Sequence, residues 1–444
     1  MRLLHVFRLS AAAGAIALAA SPGVALALDV AADKAAVDQV LDGEYAHLDA
    51  LYRDIHSHPE LGFQELRTSA KLAAEMRNLG FDVTEHVGKT GVVAIYHNGP
   101  GPMVLVRTEL DALPMEEKTG LPYASRAKQT WNGTETFVDH SCGHDIHMAS
   151  WVGTAKALVT LKDKWHGTLM FIAQPAEETA GGAKGMLDDG LFTRFGGKPD
   201  MGFALHDAPF AFGQVRWISG VESSNADGLE ITFKGRGGHG AMPNATIDPI
   251  LIAAHFIVDV QSVISREKDP AAFGVVTIGA ISAGSAGNII PDHADLRGTI
   301  RTFDNAARAK ILEGVRRTAQ AAAAMAGAPP PVVTLTANGK SVYNDPALTA
   351  RTAAVFQAAF GDKASVNPAP TPTSEDFSEF VDAGVPCVFF NIGVYDPARV
   401  AAAQAGGPPL PVNHSPYFAP APEPTIRTGV EAMSLAVMNV MQGA

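Results

Sequence analysis

The chain is poor in cysteine: Cys142 and Cys387 are the only two among 444 residues. A disulfide-stapled secreted scaffold is therefore a poor description, because folds of that kind need several bridges. Cys387 stands in the apolar run Val385-Pro386-Cys387-Val388-Phe389-Phe390, which reads as a buried strand, so its thiol fills core volume. Cys142 lies among histidines, and the two are not expected to pair. An excess of positive charge is missing too. With 34 Lys and Arg against 46 Asp and Glu, the formal net charge is -12, which argues against nucleic-acid and polybasic membrane roles. There is no internal repeat and no long disordered linker, and past the N-terminus no stretch reads as a membrane span.

The N-terminus does not read as part of the fold. Arg2 and Arg8 precede an apolar run at 9–20, and Ala25-Leu26-Ala27 supplies the small residues that a signal peptidase cuts after. Residues 1–27 are expected to be a signal peptide, with cleavage near Ala27, a mature chain from about Leu28, and a secreted or periplasmic protein. With no cysteine at the cleavage point, a lipid anchor is not expected.

The remaining length is enough for about two or three domains. Apolar residues recur at helical spacing over 30–58, where Pro59 stops them, and a second helix is expected at 68–79. Strands follow at 81–86, 91–96 and 103–108. The last runs into Glu109-Leu110-Asp111, two carboxylates just past a strand end, where open α/β sheets bind ligands. A helix reaches about residue 161, a strand at 168–173 leads into Gln174-Pro175-Ala176-Glu177-Glu178, and a strand at 201–205 delivers His206.

The pattern changes near Arg216. Strand 228–234, helix 248–264, strands 273–281 and 294–303, helix 306–325 and strand 331–336 give the β-α-β-β-α-β order of a ferredoxin-like unit. The expected fold is thus α/β. A catalytic domain with a mixed central sheet flanked by helices, residues 28–215 and 339–444, is interrupted by an inserted ferredoxin-like α+β lid or dimerisation domain, residues 216–338. In the second part, a helix at 345–360, a segment at 371–380, the Cys387 strand, a loop of small residues and proline at 401–410 and a last helix at 425–441 complete the chain.

The densest chemistry lies in His140-Ser141-Cys142-Gly143-His144-Asp145-Ile146-His147. A thiolate and an imidazole two residues apart, with more imidazole and carboxylate behind them, have no use in a structural loop and read as half of a metal site. Glu177, Glu178, His206 and His414 are candidates for the other half. Each is bland alone: a Glu-Glu pair is usually a solvated helix start, a lone histidine at a strand end is usually a satisfied core residue, and the turn around His239 can be a plain hairpin. Their placement at strand ends together with the Cys142-Gly143-His144 spacing tips the reading. Metal ions lower the pKa of bound water and polarise a carbonyl, so amide hydrolysis is accessible to such a set. One glutamate of the pair can ligate while its neighbour moves the proton. Asp145 is read as a hydrogen-bond support behind the ligands, with helix capping as its alternative, and His147 as structural.

The sequence resembles the zinc metallopeptidase and amidohydrolase family of aminoacylase, carboxypeptidase G and hippurate hydrolase, closest to the hippurate and plant auxin-conjugate branch. The resemblance rests on His58-Pro59-Glu60-Leu61-Gly62-Phe63, Asp111-Ala112-Leu113-Pro114, Cys142-Gly143-His144-Asp145, Glu177-Glu178, Gly238-His239, residues 288–291, Ser374-Glu375-Asp376-Phe377 and His414, spread over the whole mature chain. It implies Cys142, His144, Glu178, His206 and His414 as ligands of two divalent metal ions per subunit, zinc first, with manganese or cobalt as alternatives. It implies Glu177 as general base, Asp111 as a carboxylate behind the metals, and His239 as the group that stabilises the oxyanion. Asn288 and Arg301 would hold the substrate's free carboxylate. Glu109 for the usual aspartate, Ser141 for alanine and Asp207 after His206 depart from the branch.

The reading that follows is an exported dinuclear metal amidohydrolase that cleaves N-acyl amino acids, small-molecule amides with a free carboxylate, without nucleic acid and with a possible homodimer through the inserted domain. A metallo-carboxypeptidase or dipeptidase on the same scaffold is the first alternative. A non-catalytic metal-binding protein is the second, and the spare carboxylate of Glu177 speaks against it.

Overall fold

The computed structural model describes residues 29–442, so the expected signal peptide at 1–27 lies outside the described residues. Eight strands form one mixed sheet in the order Asp82–Val87, Gly91–Asn98, Gly167–Gln174, Met103–Glu109, Met201–Ala211, Cys387–Tyr395, Val215–Trp217 and Ala364–Val366. The third to sixth of these run parallel. They are almost continuously apolar because both faces of the sheet are covered. On one face the helices Val30–Ser57, His144–Thr160 and Pro422–Met441 bury Leu48, Ile146, Trp151, Val430 and Met433. These helices close up at Gly153, where a Cβ would meet a Val430 methyl at 2.5 Å. The other face holds Leu105, Ile172 and Ala204 against Met186, Phe377 and Phe380.

A smaller, wholly antiparallel sheet runs Gly274–Ala283, His293–Thr302, Asn225–Lys234, Val332–Gly339. Helices Pro249–Asp259 and Asn305–Met325 bury Ile252, Phe256, Ile311 and Val315 against its Phe233, Leu296 and Ile300. Asp248 and Asp304 cap the two helices by accepting backbone N–H groups, each cap stabilising by about 1 kcal/mol. The helix and strand succession and the strand order are those of the ferredoxin-like arrangement. Val215–Trp217 still belongs to the large sheet, and the chain crosses where Gly220–Val221 pairs with Tyr343–Asn344.

Three local expectations need correction. The strand expected to end at His206 continues to Ala211, so His206 lies within it. The loop expected at 401–410 begins inside a helix, Pro397–Gln404, because Asp396 accepts the Ala398 N–H, proline supplies the first helical φ and the alanines propagate the helix. Pro249–Glu267, contrary to expectation, is long and apolar enough to cross a membrane, but Ile252, Phe256 and Val263 of this stretch pack in the small sheet's core.

Candidate metal centre

The donors converge at the carboxyl ends of the parallel strands. Cys142 and His144 flank Gly143, which caps the helix His144–Thr160 with φ +93°. Glycine is required there: a Cβ would fall 2.0 Å from a carboxylate oxygen of Asp207. Strand Gly167–Gln174 ends in a turn at Ala176 (φ +47°) that swings Glu177 and Glu178 over the site. His206 reaches in from the strand Met201–Ala211, two places along the sheet, its Nε2 3.5 Å from the Cys142 Sγ. His414 sits at φ +66°, its N–H donating to the Ser141 carbonyl at 2.8 Å, which brings its Nε2 to 3.3 Å from Glu178. Ligand-type atoms of Cys142, His144 and His206 lie within 4.8 Å of one another, and so do those of Cys142, Glu178 and His414. The two sets share the thiol, an arrangement that suits two adjacent cations.

The chemistry of the set agrees with a cation. The His144 Nε2 is buried with no hydrogen-bond partner. Burial and then the other charges lower His206 to about 3, which leaves a neutral imidazole with a free lone pair. Burial, then the neighbouring Glu178 and Glu177 carboxylates, push the Cys142 thiol well up, so that it gives up its proton only beside a positive ion. Burial, then Glu375 and Glu178, likewise raise Glu177 well above the usual carboxylate range, with Arg107 opposing them. The residues therefore fit a pair of divalent ions, with Glu177 beside the ligands.

Behind the donors lies a polar layer that sequence reasoning largely missed. The His144 Nδ1–H donates to the Asp111 carbonyl at 2.8 Å, and the Asp111 carboxylate accepts the Glu178 N–H at 3.0 Å. Asp111 thus orients two ligands. The roles read for Asp145 and His147 are exchanged. Asp145 turns away from the ligands to pair with His56 at 2.6 Å, tying the first helix to the third. His147 instead bridges Glu109 at 3.0 Å and the Asp207 N–H at 2.9 Å, its ring against that of His206. Both lie in the first turn of the helix His144–Thr160, and only the rotation of the helix decides which faces inward. Two of the departures, Glu109 and Asp207, meet on His147, and Asn413 holds Asp207 and the Cys142 carbonyl, each at 2.9 Å. Beneath Glu177, the fully buried Arg107 binds Gln174, Glu109, Glu375 and Asp376. This ties two strand ends to the Ser374-Glu375-Asp376-Phe377 segment.

A cavity of about 700 Å³ opens over the centre. Cys142, Glu177, Glu178, His206 and His414 line it from the large sheet, and Arg301 enters it from the small one. His239 and Asn288 are not among its walls. They stand side by side and exposed at the far tip of the small unit, where Gly238–His239 pairs with Ile289–Ile290. Folding of this chain therefore does not bring those two expected residues to the centre.

Comparison with known proteins agrees with this geometry. Residues 105–438 match the model of peptidase family M20/M25/M40. The chain is 39% identical over 279 residues to an N-acetylcysteine deacetylase of Bacillus subtilis, covering 62% of this chain and 70% of that one. It is 40% identical over 276 residues to the hippurate hydrolase of Campylobacter jejuni, covering 61% and 68%. A crystal structure of a dinuclear metal-binding M20 peptidase from Bacillus subtilis superposes with a TM-score of 0.74 at 29% identity, over 91% of this chain and all of the other. Donors, fold and sequence thus lead to one conclusion: the chain is an amide-bond hydrolase belonging to the M20/M25/M40 peptidase family.

Proposed function

We propose that the protein is an exported dinuclear amidohydrolase that splits N-acyl amino acids into a carboxylic acid and a free amino acid. The observation that carries this is one cavity lined by four of the five donors, Cys142, Glu178, His206 and His414, together with a non-ligating Glu177 and a guanidinium from the opposite sheet. Bound divalent ions, zinc by preference for a thiolate and imidazole set, would lower the pKa of water and polarise the carbonyl. Glu177 then takes the water's proton and returns it to the leaving nitrogen. Arg301 offers a planar fork to the substrate's free carboxylate. The relatives named for deacetylation and hippurate hydrolysis act on acylated amino acids of this kind.

The small unit acts as a lid in this reading, and its closure, or a second copy docked through it, delivers His239 to the oxyanion. The exposed apolar side chains Ile250, Leu251 and Val258 on its first helix support the dimer. Export rests on the N-terminal Arg2, Arg8 and Ala25-Leu26-Ala27 pattern. The test is metal analysis combined with hydrolysis of N-acyl amino acids against dipeptides bearing a free amine. Turnover of the blocked compounds with two metal ions per chain is expected. Turnover of free dipeptides alone would replace this reading with the dipeptidase one.

A further inference from the structure

Pairing across the large sheet places three side chains in a row. His206 is the register partner of Asn391 in the next strand, and Asn391 is the partner of Arg216 in the one after. Directly paired residues project from the same face. Asn391 and Arg216 therefore follow the ligand histidine outward along the substrate side, and Asn391 lines the cavity. The Asn391 amide has a fixed polarity. Asn367 donates its Nδ2–H to the Asn391 Oδ1 at 2.7 Å. The Asn367 amide in turn lies against the buried carboxyl of Glu222. With its oxygen used, Asn391 turns its NH2 group to the cavity.

Arg216 adds charge behind that donor. Its guanidinium stacks on the Phe210 ring at 4.2 Å, and Phe210 lines the cavity. Its Nη2–H donates to Gln214 at 2.9 Å, while its Nε is buried without a partner. Burial alone shifts this group, with no carboxylate offsetting it. Burial also lifts Glu222 to about 8, so the carboxyl beside Asn367 is mostly uncharged at neutral pH. A neutral donor with an unpaired guanidinium behind it is a poor wall for an alkyl or aryl group, since its N–H groups would be left unpaired.

We propose that Asn391, oriented by Asn367 and backed by Arg216, selects substrates whose acyl half carries an oxygen acceptor, a carboxylate above all, a few bonds beyond the scissile amide. Assigning this end to the acyl half rests on the reading above, in which Arg301 holds the amino-acid half from the other sheet.

The experiment compares N-glutaryl and N-pentanoyl derivatives of one amino acid, which differ only in a terminal carboxylate for a methyl, using the metal-loaded full chain. The glutaryl compound is expected to have the larger kcat/KM by tenfold or more. Asn391→Leu should bring the ratio near one, the nearly isosteric Asn391→Asp should invert it, and Arg216→Met should remove part of it. A wild-type ratio at or below one, or a preference that survives Asn391→Asp, overturns the proposal. Calorimetric binding of both compounds to the metal-loaded Glu177→Gln protein separates it from the hydrolase reading. Tighter glutaryl binding without hydrolysis by the wild type sinks the reading and keeps this site, whereas equal turnover and equal binding of the two compounds sinks this site and keeps the reading.

Discussion

The two sheets contribute to the centre in different ways. In the large unit the expected donors already stand together: Cys142 and His144 are buried at a helix start, Glu178 and His206 are half-buried at or near parallel strand ends, and the exposed His414 is held in its loop by the Ser141 carbonyl. From the small sheet the Arg301 side chain reaches the cavity beside Gly339, while His239 and Asn288 remain exposed at the far tip. The difference teaches where motion is needed. The residues that could hold metal ions all belong to the folded large unit, and any part played by His239 requires a rigid-body displacement or a second chain.

The sharpest way to separate the two contributions is to remove the proton carrier without touching a ligand. Glu177→Gln should lower kcat by roughly 10²–10⁴-fold while the metal content of the protein stays at the wild-type value, read by elemental analysis alongside the rate. A fully active variant ends the mechanism. Next comes the seat of the ligands. Gly143→Ala puts a Cβ into Asp207 and strains a left-handed backbone, so a loss of about 3 kcal/mol in denaturant unfolding is expected together with weaker metal retention. Normal stability would mean that this loop yields more easily than its packing indicates.

The small sheet gives the opposite pattern. His239→Ala should cost roughly 10²-fold in kcat with metal content and stability unchanged, because the residue touches neither the centre nor a core. Mixing inactive His239→Ala and Glu177→Gln chains and recovering activity would assign the histidine to the partner's cavity. An unchanged rate would remove the lid from catalysis. Arg301→Lys should act more mildly and mainly on KM, about tenfold, since a lysine keeps the charge and loses the fork. A fall in kcat at constant KM would show that Arg301 does not bind the ground-state carboxylate.

The same contrast explains what was legible in the residues themselves. Local order carried the helices, the parallel strands and the β-α-β-β-α-β succession, because periodicity and Gly or Pro punctuation are local signals. The ligands were legible because donor chemistry is concentrated in short motifs such as Cys142-Gly143-His144 and Glu177-Glu178. What lay hidden was rotation and long-range placement. Nothing in the spacing of Asp145 and His147 tells which one a helix turns towards the ligands. Arg107 reads as an ordinary strand residue until Glu375 and Asp376, more than 260 positions later, fold against it. Asn413 and Asn391 give no pattern at all, since a single amide acquires a role only from its neighbours.

The smallest expected effect concerns the crossing between the two sheets, where Glu222 is buried with one carboxyl oxygen unpartnered. Burial raises its pKa from 4.5 to about 8, against a partial lowering by Asn367. Below pH 4.5 the carboxyl is protonated in both the folded and the unfolded chain, and this stabilising difference is fully present. Between 4.5 and about 8 the unfolded chain loses the proton that the folded protein retains, so stability falls as pH rises across that window and levels off above it. Glu222→Gln keeps the shape and cannot ionise. Its unfolding free energy should match the wild type at pH 4 and exceed it by on the order of 1–2 kcal/mol at pH 9, once relaxation around the charge is allowed for. Urea titrations at both pH values read the difference directly. Parallel pH profiles for the two proteins would mean that the crossing segment opens enough to hydrate the carboxylate, and the boundary between the sheets would then be a hinge that water enters rather than a dry joint.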